Sequence, residues 1–209
     1  MVVLEGQAAV SSLQKSASAF APEEIREHAM RNAVLFTAMS LDGYLADSTG
    51  SVDWLSGHDS SVDSADTYQA FVQTVDTAIM GYNTYHQIVT ELSPDVWVYD
   101  MLKTYVITHR PLPSGNAIQF CSTNPCELLT RLKGQPGKDI WICGGAQIVS
   151  QLLRQNMIDI YYISVIPTLL GSGIRLFEKA ENEIKLHLTK LQQNNGIVDL
   201  IYERRQPPI

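Results

Sequence analysis

The 209-residue chain lacks any apolar run of the roughly 18 to 20 residues that a bilayer span requires. Its first residues carry no basic stretch followed by a sustained apolar core, so no secretion signal is expected. Positive charge is scarce: 15 Lys and Arg stand against 22 Asp and Glu, for a formal net charge of -7. Such a surface repels the phosphate backbone that dominates nucleic-acid affinity. Nucleic acid is therefore not expected as a partner, although a local basic pocket for one phosphorylated small molecule is compatible with this balance. Cysteine is rare, and Cys121, Cys126 and Cys143 form no CxxC array, which reads as free thiols in a reducing cytoplasm. The five histidines, His28, His58, His86, His109 and His187, are scattered where a metal site would need them clustered, so no metal is expected.

What the chain does have is 45% hydrophobic residues in a length that suits one domain with a full core. Residues 1–29 are small, polar and then acidic, unlike the rest of the chain, and Met30 directly precedes the first strong strand. The expectation is an N-terminal extension or tag over 1–29 and a domain over 30–209. From Ala33 onward, short β-rich runs alternate with amphipathic stretches, the pattern of an α/β domain around a mostly parallel sheet. Strands are expected at 33–39, 76–80, 104–108, 117–121, 139–143 and 158–166, and helices at 61–74, 83–92, 125–133 and 146–155. The segments 184–193 and 197–205 flank Asn194-Asn195-Gly196, a hairpin signal, so the fold is expected to close with antiparallel strands.

Several strand-to-helix junctions carry residues suited to phosphate. Gly144-Gly145 lies between an apolar strand and a helix starting near Ala146, where small residues let a ligand approach the backbone and the helix start offers N–H groups. A tight turn is the competing reading, and the GxGxxG pattern of dinucleotide folds is absent. Gly81-Tyr82-Asn83-Thr84-Tyr85 occupies a second junction, where Thr84 offers a hydroxyl to a phosphate or simply caps the helix. At a third, Thr108-His109-Arg110 brings a hydroxyl, an imidazole and a guanidinium off a strand together, which suits a phosphate monoester. Strand ends in an open α/β sheet converge on one crevice. The opening run from Thr37 to Ala46, with Asp42-Gly43 inside it, can lay its backbone against a flat ring. Two glycines in the run from Val165 to Phe177 suggest a tight loop at the same end.

In this order, SLDGYLA with the following DWL, MGYNTY, VITHRP, ICGGAQIVSQLL and PTLLGSGIRLF resemble the dihydrofolate-reductase-like superfamily. The resemblance is specifically to stand-alone proteins similar to the C-terminal reductase domain of the bifunctional riboflavin deaminase-reductase, and it covers about 31–203. It implies a three-layer dihydrofolate-reductase-like α/β fold and an NADPH-dependent reductase acting on a small heterocycle or carbonyl. It further implies that Ala38, Leu45 and Ala46 contact the nicotinamide end. Gly81, Tyr82 and Thr84 would take the phosphates, Thr108, His109 and Arg110 the adenosine 2′-phosphate, and Gly144, Gly145, Ala146, Gln147 and Ile148 the pyrophosphate. A homodimer is implied as well, and the sequence adds that 158–166 and 197–202 are apolar on both faces in places and need cover. Neither an HxE nor a PCxxC zinc signature occurs, so the deaminase half has no counterpart here.

The proton donor is less legible. Trp54-Leu-Ser-Gly-His-Asp59 reproduces the WxxxxD spacing of classical dihydrofolate reductases without their proline-rich context, which makes Asp59 a candidate acid. Asp63 and Asp66 could serve equally, and Asp42 is a further acid in the opening loop. Lys103, Arg175 and Lys179 are candidates for a substrate phosphate by proximity to the motifs. Two other functions remain open: dihydrofolate reduction, and nucleotide binding on the same fold without turnover.

Overall fold

The computed structural model describes residues 30–59, 65–178 and 183–205. The expected extension over 1–29, the start of the expected helix 61–74 with Asp63, and Lys179 lie outside the described residues. Eight strands form one sheet. In chain order they are β1 (Ala33–Ser40), β3 (Val75–Gly81), β4 (Lys103–Ile107), β5 (Ile118–Cys121), β6 (Asp139–Gly144), β7 (Ile160–Ile166), β9 (Leu186–Asn194) and β10 (Ile197–Arg204). Their spatial order is β5-β4-β3-β6-β1-β7-β10-β9. The six strands from β5 to β7 are mutually parallel, and β10 runs antiparallel to both β7 and β9. Two short strands, β2 (Tyr44–Ala46) and β8 (Ile174–Arg175), pair apart from the main sheet.

β1 is apolar almost without interruption because it lies at the centre of a parallel sheet covered on both faces. One face packs Leu35, Ile142 and Ile163 against α3 (Pro125–Lys133) and α4 (Ala146–Arg154), which contribute Leu128, Leu129, Val149 and Leu152. The other packs Val34, Phe36, Met80 and Trp141 against Phe71 and Val72 of α1 (Ala65–Val72) and against Tyr99 and Leu102. Phe36 and Phe71 stack with centroids 4.1 Å apart, and Trp141 meets both edge-on. α3 starts where Asn124 Oδ1 accepts from Cys126 N at 2.8 Å with Pro125 in the first turn, and Arg131 and Lys133 sit in its last turn.

The N-terminal end of the parallel sheet is closed by charge. Buried Arg31 pairs with Asp76 and donates to Thr77 Oγ1 at 2.8 Å, while Asp159 takes Lys133 and, at 3.1 Å, Arg204. The opposite end is left to loops and helix starts.

Two expectations change. The stretch 83–92 is α2 (Tyr82–Gln87) followed by a π-helical turn, Ile88–Leu92, where Ser93 N reaches back to Ile88 O at 2.8 Å. The strand at 158–166 finds part of its cover inside the subunit, since Tyr161 and Ile163 face α4 and Tyr162 faces Phe36 and Phe71, while Val198, Leu200, Ile201 and Tyr202 of β10 are half-buried. The strand lying open is β9 at the sheet edge, with Leu188 and Leu191 43% and 59% exposed.

Leu152 is fully buried where α4 meets the sheet. Leu152→Ala is expected to lower unfolding free energy by about 3 kcal/mol, the usual cost of an unfilled core cavity, as read by urea denaturation.

Candidate active site

Because the strands between β5 and β7 run the same way, their C-terminal ends share one edge, and each hands the chain to a loop or helix there. Four of these junctions hold the residues singled out from the sequence, and neighbours in the sheet are neighbours at the edge in the order β4, β3, β6, β1.

At the β4 end, Thr108 is buried and its Oγ1 accepts from Arg110 N at 3.1 Å, while His109 and Arg110 are exposed. The Arg110 guanidinium lies 4.1 Å from the centre of the Tyr82 ring, joining this junction to α2. At the β3 end, Gly81 leads into α2, and a Cβ placed on Gly81 would stand 3.5 Å from Ile148 Cγ1 and 4.0 Å from Gly145 N. At the β6 end, Gly144 has φ +121, a conformation that favours glycine, and its peptide to Gly145 is cis. A Cβ on Gly145 would lie 3.3 Å from Thr84 Oγ1. The β3 and β6 junctions thus meet closely beside the Thr84 and Ile148 side chains at the first turn of α4, where Ile148 N is bound to Gly145 O at 3.0 Å and the preceding Ala146 and Gln147 start the helix. At the β1 end, Ala38 is fully buried and Leu45 and Ala46 follow on β2.

The loop after β2 closes over this edge and is held at both ends. Gln87 Nε2 of α2 donates to Gly50 O at 3.0 Å. At the far end the β9–β10 turn grips it: His58 N donates to Asn195 O at 3.0 Å, Asp59 N to Asn195 Oδ1 at 3.0 Å, and Asn195 Nδ2 to Asp59 O at 2.7 Å. Gly196 takes φ +78, and a Cβ there would collide with the His58 ring at 2.4 Å. Asn195-Gly196 was legible as a hairpin turn, but nothing in its spacing revealed that it also anchors a loop more than 130 residues upstream. Asp59 therefore lies at the hairpin tip with its main chain clasped on both sides.

The structure gives Asp42 a different task from acid catalysis. Its Oδ1 accepts from Ser40 Oγ at 2.6 Å and Leu170 N at 3.1 Å, and its Oδ2 from Gly171 N at 2.7 Å. The Ser40 hydroxyl above all, with the Gly171 and Leu170 amides, outweighs desolvation and holds the carboxyl down to about 2. A group ionised throughout the neutral range has no proton to give, so Asp42 is a staple between the β1–β2 turn and the loop before β8. Leu41 N to Thr168 O at 2.9 Å and Leu176 N to Gly43 O at 3.0 Å reinforce it. Arg175 belongs to the same clasp, stacked 4.6 Å over the Tyr44 ring and donating to Tyr44 Oη at 3.1 Å. Lys103 is misplaced for any ligand here, because it starts β4 at the opposite end of the strand and lies over Tyr105.

The fold defines an α/β protein of the dihydrofolate-reductase-like class, with the candidate site residues at the C-terminal ends of the parallel strands. A family model, the RibD C-terminal domain, matches residues 86–198. The chain belongs to the RibD C-terminal domain family. It is 39% identical to the uncharacterized protein YwjB of Bacillus subtilis (strain 168) over 175 residues, 83% of this chain and 98% of that one. Among solved structures it is similar to a candidate riboflavin biosynthesis protein of Shewanella sp. PV-4, with 27% identity, a TM-score of 0.71, and coverage of 84% of this chain and 99% of that one. The diaminohydroxyphosphoribosylaminopyrimidine deaminase/5-amino-6-(5-phosphoribosylamino)uracil reductase of Thermotoga maritima shares the fold at 12% identity and a TM-score of 0.62, over 84% of this chain and 57% of that one. No helix among the described residues is long and apolar enough to cross a membrane.

The Asp42 staple makes a signed pH prediction. Its folded pKa lies below the ordinary 3.8, so its contribution is fully present above that value and is lost as pH falls through about 2. Wild type should exceed Asp42→Asn in melting temperature by a constant margin at pH 5 and above. The margin should close between pH 4 and pH 2.

Proposed function

We propose that the chain is an NADPH-dependent reductase of a small pyrimidine-like heterocycle. The observation that carries this reading is the convergence of four junctions, in the order β4, β3, β6, β1, along one edge of the sheet. From β4 to β1 is three strand spacings, about 14 Å, and the chemistry changes along it from cationic to glycine-lined to apolar. That sequence of environments suits an extended dinucleotide with an extra phosphate at one end and a flat ring at the other.

The residues present fit such a group. Thr108, His109 and Arg110 would receive the 2′-phosphate, with Arg110 pre-oriented by its stack on Tyr82. Gly81, Tyr82 and Thr84 with Gly144 and Gly145 would form the walls of the pyrophosphate cradle, and Ala146, Gln147 and Ile148 its floor; a Cβ at Gly145 would intrude on it. Ala38, Leu45 and Ala46 would hold the nicotinamide end. NADPH when bound supplies the hydride. The anchored loop from 47 to 59 would exclude water over the reacting atoms, and Asp59 on that loop is the candidate to deliver the proton. We place the working domain at 30–209, in the cytoplasm. The Thermotoga enzyme is named as a reductase of a ribosylamino-uracil, and that name supports a related acceptor here.

Calorimetric titration should give tighter binding of NADPH than of NADH. Arg110→Ala should narrow that preference roughly tenfold or more, since charge-assisted phosphate contacts are worth about 1.5 to 3 kcal/mol each. Gly145→Val should remove binding of both. Equal affinities for the two cofactors in the wild type would refute the assignment.

The second copy implied by the family would dock on β9. This strand offers nine residues of edge backbone with Leu188 and Leu191 outermost, and an isologous pairing presents the same patch to itself. Sedimentation at micromolar concentration should show twice the monomer mass, and Leu191→Lys should return it to a monomer. A wild-type monomer would rule the pairing out.

A further inference from the structure

The edge strand β9 is amphipathic in spite of its residue spacing. Leu188 and Leu191 stand three residues apart, and strict alternation along a strand would turn them to opposite faces. The ladder to β10 prevents this: its register passes from Lys190 opposite Ile201 to Leu188 opposite Tyr202, which makes Thr189 the extra residue of a bulge. The Thr189 hydroxyl donates to Ile201 O at 3.1 Å and secures it. Leu191 then lies opposite Leu200 and Leu188 opposite Tyr202, and those two are in register with Ile163 and Tyr161 of β7, on the face that α4 covers. Along both rows the side chains pass from buried on β7 through half-buried on β10 to exposed on β9. Leu188, Leu191, Leu200 and Tyr202 therefore form an apolar ledge that continues the core beyond the reach of α4.

The occupant that suits this ledge is a second copy of the chain. A protein of net charge -7 repels itself wherever carboxylates meet, and the ledge contains none. A basic partner would gain nothing from a patch without acids, whereas a two-fold axis sets ledge against ledge.

The same hairpin ends in the grip on the loop at 47–59. The register of β10 with β7 stops at Val198 opposite Val165, so the turn projects past the last pair. Asn195 and Gly196 both take positive φ, +50 and +78. Turn and loop interlock: a Cβ on Gly57 would stand 2.3 Å from Asn195 O, and one on Gly196 2.4 Å from His58 Nε2. Contacts this close pass a displacement of the hairpin on to the loop. From Leu191 to Asn195 the chain advances only about 13 Å. As an edge strand β9 has a ladder on one side alone, so a partner on the ledge fixes the twist of the hairpin, which the subunit by itself holds less firmly.

We propose that self-association on the β9 ledge sets how firmly the loop at 47–59 is held over the strand ends, which links the pairing of two copies to ligand binding at that edge. This rests on the pairing and the cofactor reading above. The link is reciprocal: whatever factor association adds to ligand affinity, ligand adds to association.

Amide hydrogen exchange of the full-length protein, with sedimentation at the same concentrations, tests the link. The His58 and Asp59 amides, which donate to Asn195, should exchange at least about fivefold more slowly in the dimer than in the monomer obtained by dilution or by Leu191→Lys, and the Ile142 amide of β6 should change less. Asn195→Gly, which allows the positive φ and removes the side chain, should remain dimeric and lose the dependence of Asp59 exchange on association. Saturating NADPH should tighten association of the wild type, and Leu191→Lys should weaken NADPH by the same factor. Equal exchange at His58 and Asp59 in dimer and monomer overturns the proposal and leaves the pairing standing. Acceleration at Ile142 as large as at His58 and Asp59 overturns it too, since the loop would only be following general destabilisation. A wild type that is monomeric at every concentration overturns both the proposal and the pairing. Exchange that follows association in a protein that ignores NADPH supports the hold on the loop and rejects the cofactor reading. If Leu191→Lys does not fold, dilution of the wild type makes the same comparison without a variant.

Discussion

Covering both faces of a parallel sheet is the constraint on which the rest of this molecule depends. Strands such as β1 and β6 bury side chains above and below, so neither face can hold a polar site without breaking the core. Only the ends of the strands remain, and there backbone N–H and C=O groups need partners. The two ends are used differently. At one, Arg31, Asp76, Lys133, Asp159 and Arg204 join neighbouring segments by ion pairs, which fixes the relative heights of the strands. At the other, glycines and helix starts leave backbone groups uncovered, which is what a phosphate-bearing ligand needs.

An edge left open needs its loops held by something other than the core. Asp42 performs that task on one side, drawing the β1–β2 turn and the loop at 168–171 together through three hydrogen bonds to one carboxylate. Asn195 performs it on the other, using its side chain and main chain to grip residues 58 and 59. Both are loop residues attached to rigid strands, so the cover over the edge is positioned by the sheet.

The features legible in the sequence are the local ones. The run over 125–133 shows helix periodicity, a capping Asn and a first-turn Pro, and the observed helix has the same bounds. Parallel strands of four to eight β-rich residues between polar breaks were equally plain. β2 and β8 were not, because a three-residue and a two-residue strand have no periodicity and each exists only through a partner about 130 residues away. The same distance hid the true role of Asp42. Asp-Gly in a turn is a common local pattern, and the two amides that join the Ser40 hydroxyl on its carboxylate come from Leu170 and Gly171. Apolar character on both faces of 158–166 signals burial but does not say by what: Tyr161 and Ile163 meet α4, Tyr162 meets Phe36 and Phe71, and Val165 is half-buried. The glycine junctions stood out as motifs, yet the contact of Gly145 with Thr84 needed the strand order β3-β6, which no local signal gives.

Aspartate appears in this fold in three electrostatic settings, and the differences separate structure from chemistry. Asp159 is flanked by two cations, and losing one side of such a pair costs about 3 to 5 kcal/mol when it is buried, less here because the group is partly exposed. Asp42 faces no cation but accepts from a hydroxyl and two amides at a solvent-accessible turn, where water finishes the solvation that those donors begin. Asp199 has neither: it is buried, its donors are two neutral hydroxyls, and one of them is at the edge of bonding distance. The first two aspartates are explained by the strands and loops they join, and the third by the same rule, since its two hydroxyl partners tie β10 to β7 and to α1.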